Sequence, residues 1–355
     1  MKQFLKWMSF IIILPMLIGC QKKKESKEKS DFETLMGRDH PQWQYVQTAE
    51  DFENLNFFKS VYENNIRYLE MKSSMMRIPK VLHVIWIGPK PFPRDSVENV
   101  RSWIAKHPDW AIKFWTDRER PLPHKQMQLC FIKDLQFIKL FDCYKKSDNW
   151  AEKSDLLRLE ILYQQGGIYF DHDVKCFKSF EPLNKAFDFY LGMELPYKTS
   201  LSSSVLPTNN ILGSRPGHEI LMRSMDWLVD NWDRIENDYP GKDRDSVINR
   251  VSHRTFLVLG EVFKVLANKD GNRDIALPTY YFNAPEDKKA IFARHLYQGT
   301  WFENETEFEK IVRERLVKIT KKTNKILLFF GVFSFVNILG FALLFMKHRK
   351  RLQQT

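Results

Sequence analysis

Apolar positions along this chain follow two rhythms. In "KVLHVIWIGPKPFP" the stretch Val81 to Ile87 is apolar except for His83 and stops at Gly88-Pro89, which predicts a buried strand. In "SVENVRSWIAKHP" the residues Val97, Val100, Trp103 and Ile104 recur at helical spacing behind Ser96, a predicted N-cap. "WAIKFWTD", Trp110 to Asp117, predicts a second strand, so residues 81–117 read as a βαβ-type unit and a parallel sheet. Further on, "SDLLRLEILYQQGG", Ser154 to Gly167, predicts a helix with Leu156, Leu159 and Tyr163 on one face and Gly166 as a left-handed cap. Ile168 to Phe170 predicts a strand, "FDFYLGME" another, and "HEILMRSMDWLVDNWDRI" a long amphipathic helix. Asp31 to Ser74 reads as helices packed on a larger domain, with Pro79 marking the boundary. The expectation is an α/β fold with a ligand site at the carboxyl edge of its sheet.

The two ends carry a different pattern. "MKQFLKWMSFIIILPMLIGCQKKK" has basic residues, about a dozen apolar residues and then small ones, the form of a signal peptide. "LIGC" resembles a bacterial lipobox, which would make Cys20 the lipidated residue; an uncleaved signal anchor is the alternative. Ile326 to Met346 is 21 residues without a charge, which predicts a transmembrane helix. The organisation expected is a signal peptide or anchor over 1–20, a charged tether and helical segment over 21–77, the main domain over 78–317, the membrane helix over 326–346 and a basic tail over 347–355. Four Lys precede the apolar stretch and four Lys or Arg follow it, so the charge rule does not orient it.

Net charge is +11, but residues 1–29 contribute +5 and residues 318–355 contribute +8. The body between them is therefore about −2. Positive charge that flanks apolar segments suits anionic lipid headgroups, and an acidic body argues against nucleic acid as a partner. Cys130, Cys143 and Cys176 fit no zinc spacing and read as buried thiols, with a Cys130–Cys143 bridge as the alternative in an oxidising compartment.

The candidate chemistry lies in Asp171-His172-Asp173, at the end of an apolar strand. Alternation along a strand turns both carboxylates the same way and His172 the other. Two unneutralised carboxylates in an apolar setting cost several kcal/mol, and a hard divalent ion removes that cost. Oxygen ligation suits Mn²⁺ or Mg²⁺, with positions left open for phosphate oxygens. Asp155 and Arg158 stand one helical turn apart on the helix that leads into this strand. As an ordinary surface pair they would contribute only a few tenths of a kcal/mol.

Taken together, "SDLLRLEILYQQGGIYFDHDV" resembles the sugar-binding region of DxD-motif glycosyltransferases (family 32-like), which include fungal initiating mannosyltransferases, inositol-phosphoceramide mannosyltransferases and clostridial toxin catalytic domains. The pattern is carried by Ser154, Asp155, Arg158, Gly166, Gly167, Tyr169, Asp171 and Asp173. The resemblance continues with falling strength over residues 78–302. It implies that Trp86 stacks on the nucleotide base and that Asn209 or Asn210 lines the site. It also implies that "HLYQGTWFE" closes the site, with His295 and Thr300 near the metal and Trp301 at the diphosphate. Thr300 stands where a serine is usual. Tyr169 falls among the donor-binding positions. The family implies a GT-A, Rossmann-like domain and a divalent metal bound by Asp173 and Asp171. It further implies a nucleotide-sugar donor, retention at the anomeric carbon, and a glycan, lipid or protein acceptor. Two other readings remain open: a tethered sugar-nucleotide-binding protein without turnover, and a metal-dependent phosphoesterase.

Overall fold

The computed structural model describes residues 31–71, 73–199 and 201–298, together with Thr323 and Ile326. Cys20, Thr300, Trp301, the expected signal segment, the basic tail and all of the expected membrane helix but Ile326 lie outside these residues. Among the described residues no helix is long and apolar enough to cross a membrane.

In chain order the elements are α1 (Phe32–Leu35), α2 (Ala49–Asn65), β1 (Val81–Ile85), α3 (Arg94–Lys106), β2 (Ala111–Thr116), β3 (Gln128–Phe131), α4 (Phe141–Lys146), α5 (Trp150–Gln165), β4 (Gly167–Phe170) and β5 (Val174–Cys176). They continue with α6 (Glu181–Ala186), β6 (Phe189–Met193), β7 (Pro207–Ser214), α7 (Glu219–Asp238), α8 (Arg244–Arg254), α9 (Phe256–Leu266), β8 (Asp274–Leu277) and β9 (Ala293–His295). The main sheet has the order β3-β2-β1-β4-β7-β6-β8. Strands β1 to β4 are parallel, β7 is antiparallel to both β4 and β6, and β6 is parallel to β8. The α/β expectation holds, but the sheet is mixed rather than parallel throughout, because β7 enters it reversed.

Every residue of β4, β6 and β7 is buried, as expected of central strands covered on both faces. Adjacent residues of β4 show the two covers. The Phe170 ring stacks on Trp103 of α3, with centroids 4.1 Å apart. The Tyr169 ring lies against Arg158 of α5 on the other side. Helix α5 is itself enclosed: Leu156, Leu157, Leu159, Ile161 and Leu162 are all buried, on more faces than the single stripe expected. Its Glu160 is buried too, and accepts hydrogen bonds from the backbone N–H groups of Ile138, Lys139 and Leu140. The N-terminal helices join the same core. Tyr62 of α2 reaches the Tyr281 hydroxyl at 3.2 Å, and Asn65 donates to the Asp274 carbonyl of β8 at 2.6 Å. Asp51 of α2 accepts from the Ser204 backbone N–H and the Ser203 hydroxyl, which fixes the segment before β7.

Several boundaries move for local reasons. Helix α5 starts four residues before Ser154, because the Asn149 side chain caps it by accepting from the N–H groups of Ala151 and Glu152. Helix α3 starts at Arg94 behind Pro93, so Ser96 lies in its first turn and is not its cap. Gly166 does end α5 with φ +61°, but its ψ of −162° is outside the left-handed helical region. Gly167 follows at φ +97°, and a Cβ there would stand 2.5 Å from the Val81 carbonyl oxygen, so two glycines in succession are what this turn requires. Cys130, Cys143 and Cys176 are free thiols.

His83 locks the turn from beneath. Its Nε2 lies 2.9 Å from the Gly166 carbonyl, and its Nδ1 accepts from Trp115 Nε1–H at 3.1 Å. Nδ1 must therefore be unprotonated, and burial pushes the imidazole down to about 4. A buried histidine whose folded value lies below its unfolded value contributes fully only above the unfolded value. Stability should fall as pH drops from about 6.5 toward 4, by about 3 kcal/mol in total. Urea unfolding across that range checks it, and a His83→Phe variant should lose this component of the pH slope.

Candidate active site

Strand β4 ends at Phe170, and the next three residues turn sharply: the Val174 N–H donates to the Asp171 carbonyl at 3.0 Å. Strand β5 begins at once and pairs antiparallel with β9, placing Val174 opposite His295. This small ladder brings His295 to the acidic turn from more than a hundred residues away. His295 Nε2 is 3.3 Å from Asp173 Oδ1, and Asp173 Oδ2 accepts from the Gln298 N–H at 2.8 Å. One ligand atom from each of Asp171, Asp173 and His295 lies within 4.8 Å of the others. Burial works against charge on Asp173, but the hydrogen bond and charge of His295 outweigh it and hold the carboxyl well below its usual range. Burial likewise opposes charge on His295, while Asp173, Asp171 and Glu194 hold it above its ordinary value. His295 Nδ1 is buried without a hydrogen-bond partner. Two carboxylates and an imidazole, one nitrogen of it unspent, fit a single divalent ion, and the nitrogen donor suits Mn²⁺ better than Mg²⁺.

Asp155 and Arg158 do not form a surface pair. Both side chains are under 5% exposed and in direct contact. The guanidinium also donates to the Asn209 carbonyl at 2.5 Å and to Asp171 Oδ1 at 3.2 Å, and sits 4.1 Å over the Tyr169 ring. The Tyr169 hydroxyl donates to the same Asp171 oxygen at 2.5 Å. Burial pushes the Asp155 carboxyl up to about 7, against the attraction of Arg158. Two polar atoms of the pair, Asp155 Oδ2 and Arg158 Nε, are buried with no hydrogen-bond partner.

Asn209 and Asn210 separate as strand alternation requires. Asn209 Nδ2 donates to Asp155 Oδ1 at 3.2 Å, while Asn210 Nδ2 donates away from the pair, to Asn283 Oδ1 at 2.6 Å. Asn209 is thus the one that faces the acidic helix. Trp86 follows β1, with its Nε1–H on the Lys90 carbonyl at 2.9 Å. Its ring meets His172 edge-on, with centroids 4.9 Å apart. His172 turns toward α3, where its Nδ1 is 2.7 Å from the buried Ser96 hydroxyl and its carbonyl accepts from Asn99. Residues that pattern reading did not single out also border the site. Arg120 and Asp117, past β2, grip the Gly88–Lys90 loop. Glu194 accepts from the Tyr297 hydroxyl, and Tyr297 holds a left-handed φ of +50°. A non-glycine residue with positive φ just past a metal-candidate histidine leaves no trace in sequence.

Residues 93–190, a little over a quarter of the chain, match the family described as "Glycosyltransferase sugar-binding region containing DXD motif". Inositol phosphoceramide mannosyltransferase 3 of Schizosaccharomyces pombe is 30% identical over 163 residues, 46% of this chain and 39% of that protein. Subversion of eukaryotic traffic protein A of Legionella pneumophila is 27% identical over 184 residues, 47% of this chain and 26% of that one. Among solved structures, the PaToxG glycosyltransferase aligns with a TM-score of 0.40 and 19% identity, over 62% of this chain and 82% of that one. The alignments with the two curated relatives thus take in well under half of their length.

Removing Arg158 would leave two carboxylates, Asp155 and Asp171, without their shared cation. Arg158→Met should therefore lower unfolding free energy by about 3–5 kcal/mol. Adding Asp155→Asn removes one orphaned charge and should restore part of the loss. Equal urea midpoints for the single and double variants would contradict this account.

Proposed function

We propose that the chain is a metal-dependent, retaining glycosyltransferase of GT-A type that acts at a membrane. It takes a hexose from a UDP- or GDP-linked donor and passes it to a lipid or protein acceptor, glycans included. The observation that carries this reading is one juxtaposition: a single-ion set of Asp171, Asp173 and His295 beside a buried Asp155–Arg158 pair that keeps an acceptor and a donor unspent. The relative named inositol phosphoceramide mannosyltransferase supports a mannosyl donor and a lipid acceptor first. The uncharged stretch Ile326 to Met346 supports the membrane.

Asp173, Asp171 and His295 would hold the ion. When bound, the ion supplies positive charge that stabilises a departing diphosphate. Asp155 Oδ2 accepts a hydrogen bond from a sugar hydroxyl, and Arg158 donates from Nε to a neighbouring oxygen of the sugar or the diphosphate. Tyr169 acts one step back: its hydroxyl fixes the Asp171 carboxylate, so it is a positioning residue more than a contact to the donor. Trp86 offers a ring to the base, with His172 and Phe92 edge-on behind it. Asp155 is tied to Arg158 and Asn209 and is poorly placed to attack. Preorganised charge at the leaving group then carries much of the rate enhancement, which accords with retention.

The test uses the full chain in detergent, a panel of UDP- and GDP-sugars, and Mn²⁺ or a chelator, with nucleotide release as the readout. Release from one donor with Mn²⁺, abolished by chelator and reduced on the order of 10²-fold or more by Asp171→Asn/Asp173→Asn, is expected. Neither release nor Mn²⁺-dependent binding of UDP or GDP would overturn the assignment. Tyr169→Phe should weaken Mn²⁺ binding by about ten-fold, read from the free-ion electron paramagnetic resonance signal. Unchanged affinity would remove Tyr169 from the positioning role.

A further inference from the structure

A polar cavity of about 290 Å³ opens between the start of α5, the second half of α7 and helix α8. Glu152, one turn before Asp155 on α5, forms one wall. Opposite it stands Arg254, 2% exposed, its guanidinium 3.7 Å over the Trp232 ring. Arg254 Nη1 donates to Glu152 Oε1 at 3.3 Å, and Nη2 donates to the Trp232 carbonyl at 2.8 Å and to Glu236 at 2.9 Å. Arg254 Nε is buried without a hydrogen-bond partner. Arg250 closes the floor, donating to the carbonyls of Tyr239 and Gly241.

Three features point to a ligand over a scaffold. A buried ion pair kept only to join helices is no better than apolar packing, and it makes no use of open space beside it. Here the pair borders a cavity and leaves a donor unspent. The lining holds four basic and four acidic side chains and is formally neutral, which disfavours a phosphate or a carboxylate as occupant. Interleaved donors and acceptors match hydroxyl groups, each of which donates and accepts. The volume is at the small end of ligand pockets, about 300–1,000 Å³, which suits one six-membered ring. Position adds the fourth argument: Glu152 and Asp155 are three residues apart on α5 and share one face, so the cavity adjoins the proposed sugar site along one helix.

We infer that this cavity is the acceptor subsite and takes one neutral, polyhydroxylated ring, a hexose or a cyclitol. Glu152 accepts from its hydroxyls, Arg254 Nε donates to one of them, and Val247 forms the apolar rim. The inference rests on the glycosyltransferase reading for its role but not for its binding.

The test uses the full chain with methyl hexopyranosides and free inositol as probes. Binding is read by saturation-transfer NMR and by tryptophan fluorescence, and turnover by the partition of donor sugar between probe and water. Val247→Trp fills the cavity without unpairing a charge. At least one probe should bind and divert sugar from water. Val247→Trp should weaken that binding by about ten-fold while donor hydrolysis stays within about two-fold. If hydrolysis is present but no probe binds, or if Val247→Trp binds the probe as well as the parent, the inference fails. Loss of hydrolysis in the parent chain would sink the enzyme reading instead, and the NMR binding result would still decide the cavity.

Discussion

Arg158 is the cation around which the site is organised. It answers the buried Asp155 and the partly exposed Asp171, sits over the Tyr169 ring and ties α5 to β7 through the Asn209 carbonyl. Packing forces the arrangement: α5 is covered on most of its surface, so charge on it must be matched internally or not occur. The same matching leaves Asp155 Oδ2 and Arg158 Nε buried without hydrogen-bond partners.

Much of this was legible in the sequence, for identifiable reasons. Strands β1, β2 and β4 are short apolar runs with clear stops, and helix α5 ends on two glycines that no other residue could replace. The acidic turn declared itself because charge at the end of an apolar strand needs a cause. Strand β7 was hidden. Its Thr208-Asn209-Asn210 looks like a loop, yet each side chain finds a buried partner and the segment packs centrally. Helix α5 was foreseen with one apolar face, and its true enclosure depends on α7 and β7, which its own periodicity cannot reveal.

His172 illustrates what sequence withholds. Strand alternation turns it away from both carboxylates and says no more. Its ring lies between Trp86 and Ser96, and burial lowers its pKa, so it packs as a spacer between the Trp86 ring and α3. Nothing local announces this, because Ser96 was itself expected to cap a helix. Ser96 and His172 meet across 76 positions of chain, a contact that neither local pattern carries.

The reversed strand has one more consequence. Because β7 runs against β4 while β6 runs with it, the chain leaves β6 and enters β7 at the same edge of the sheet as the acidic turn. The connection from Met193 to Pro207 therefore begins and ends at the edge that carries the acidic turn. The fastening at the far end is Asp51, which comes from the N-terminal helices. Leu195, Val205 and Leu206 are buried as well, so the connection belongs to the packed core, and the N-terminal helices and the sheet set its course together.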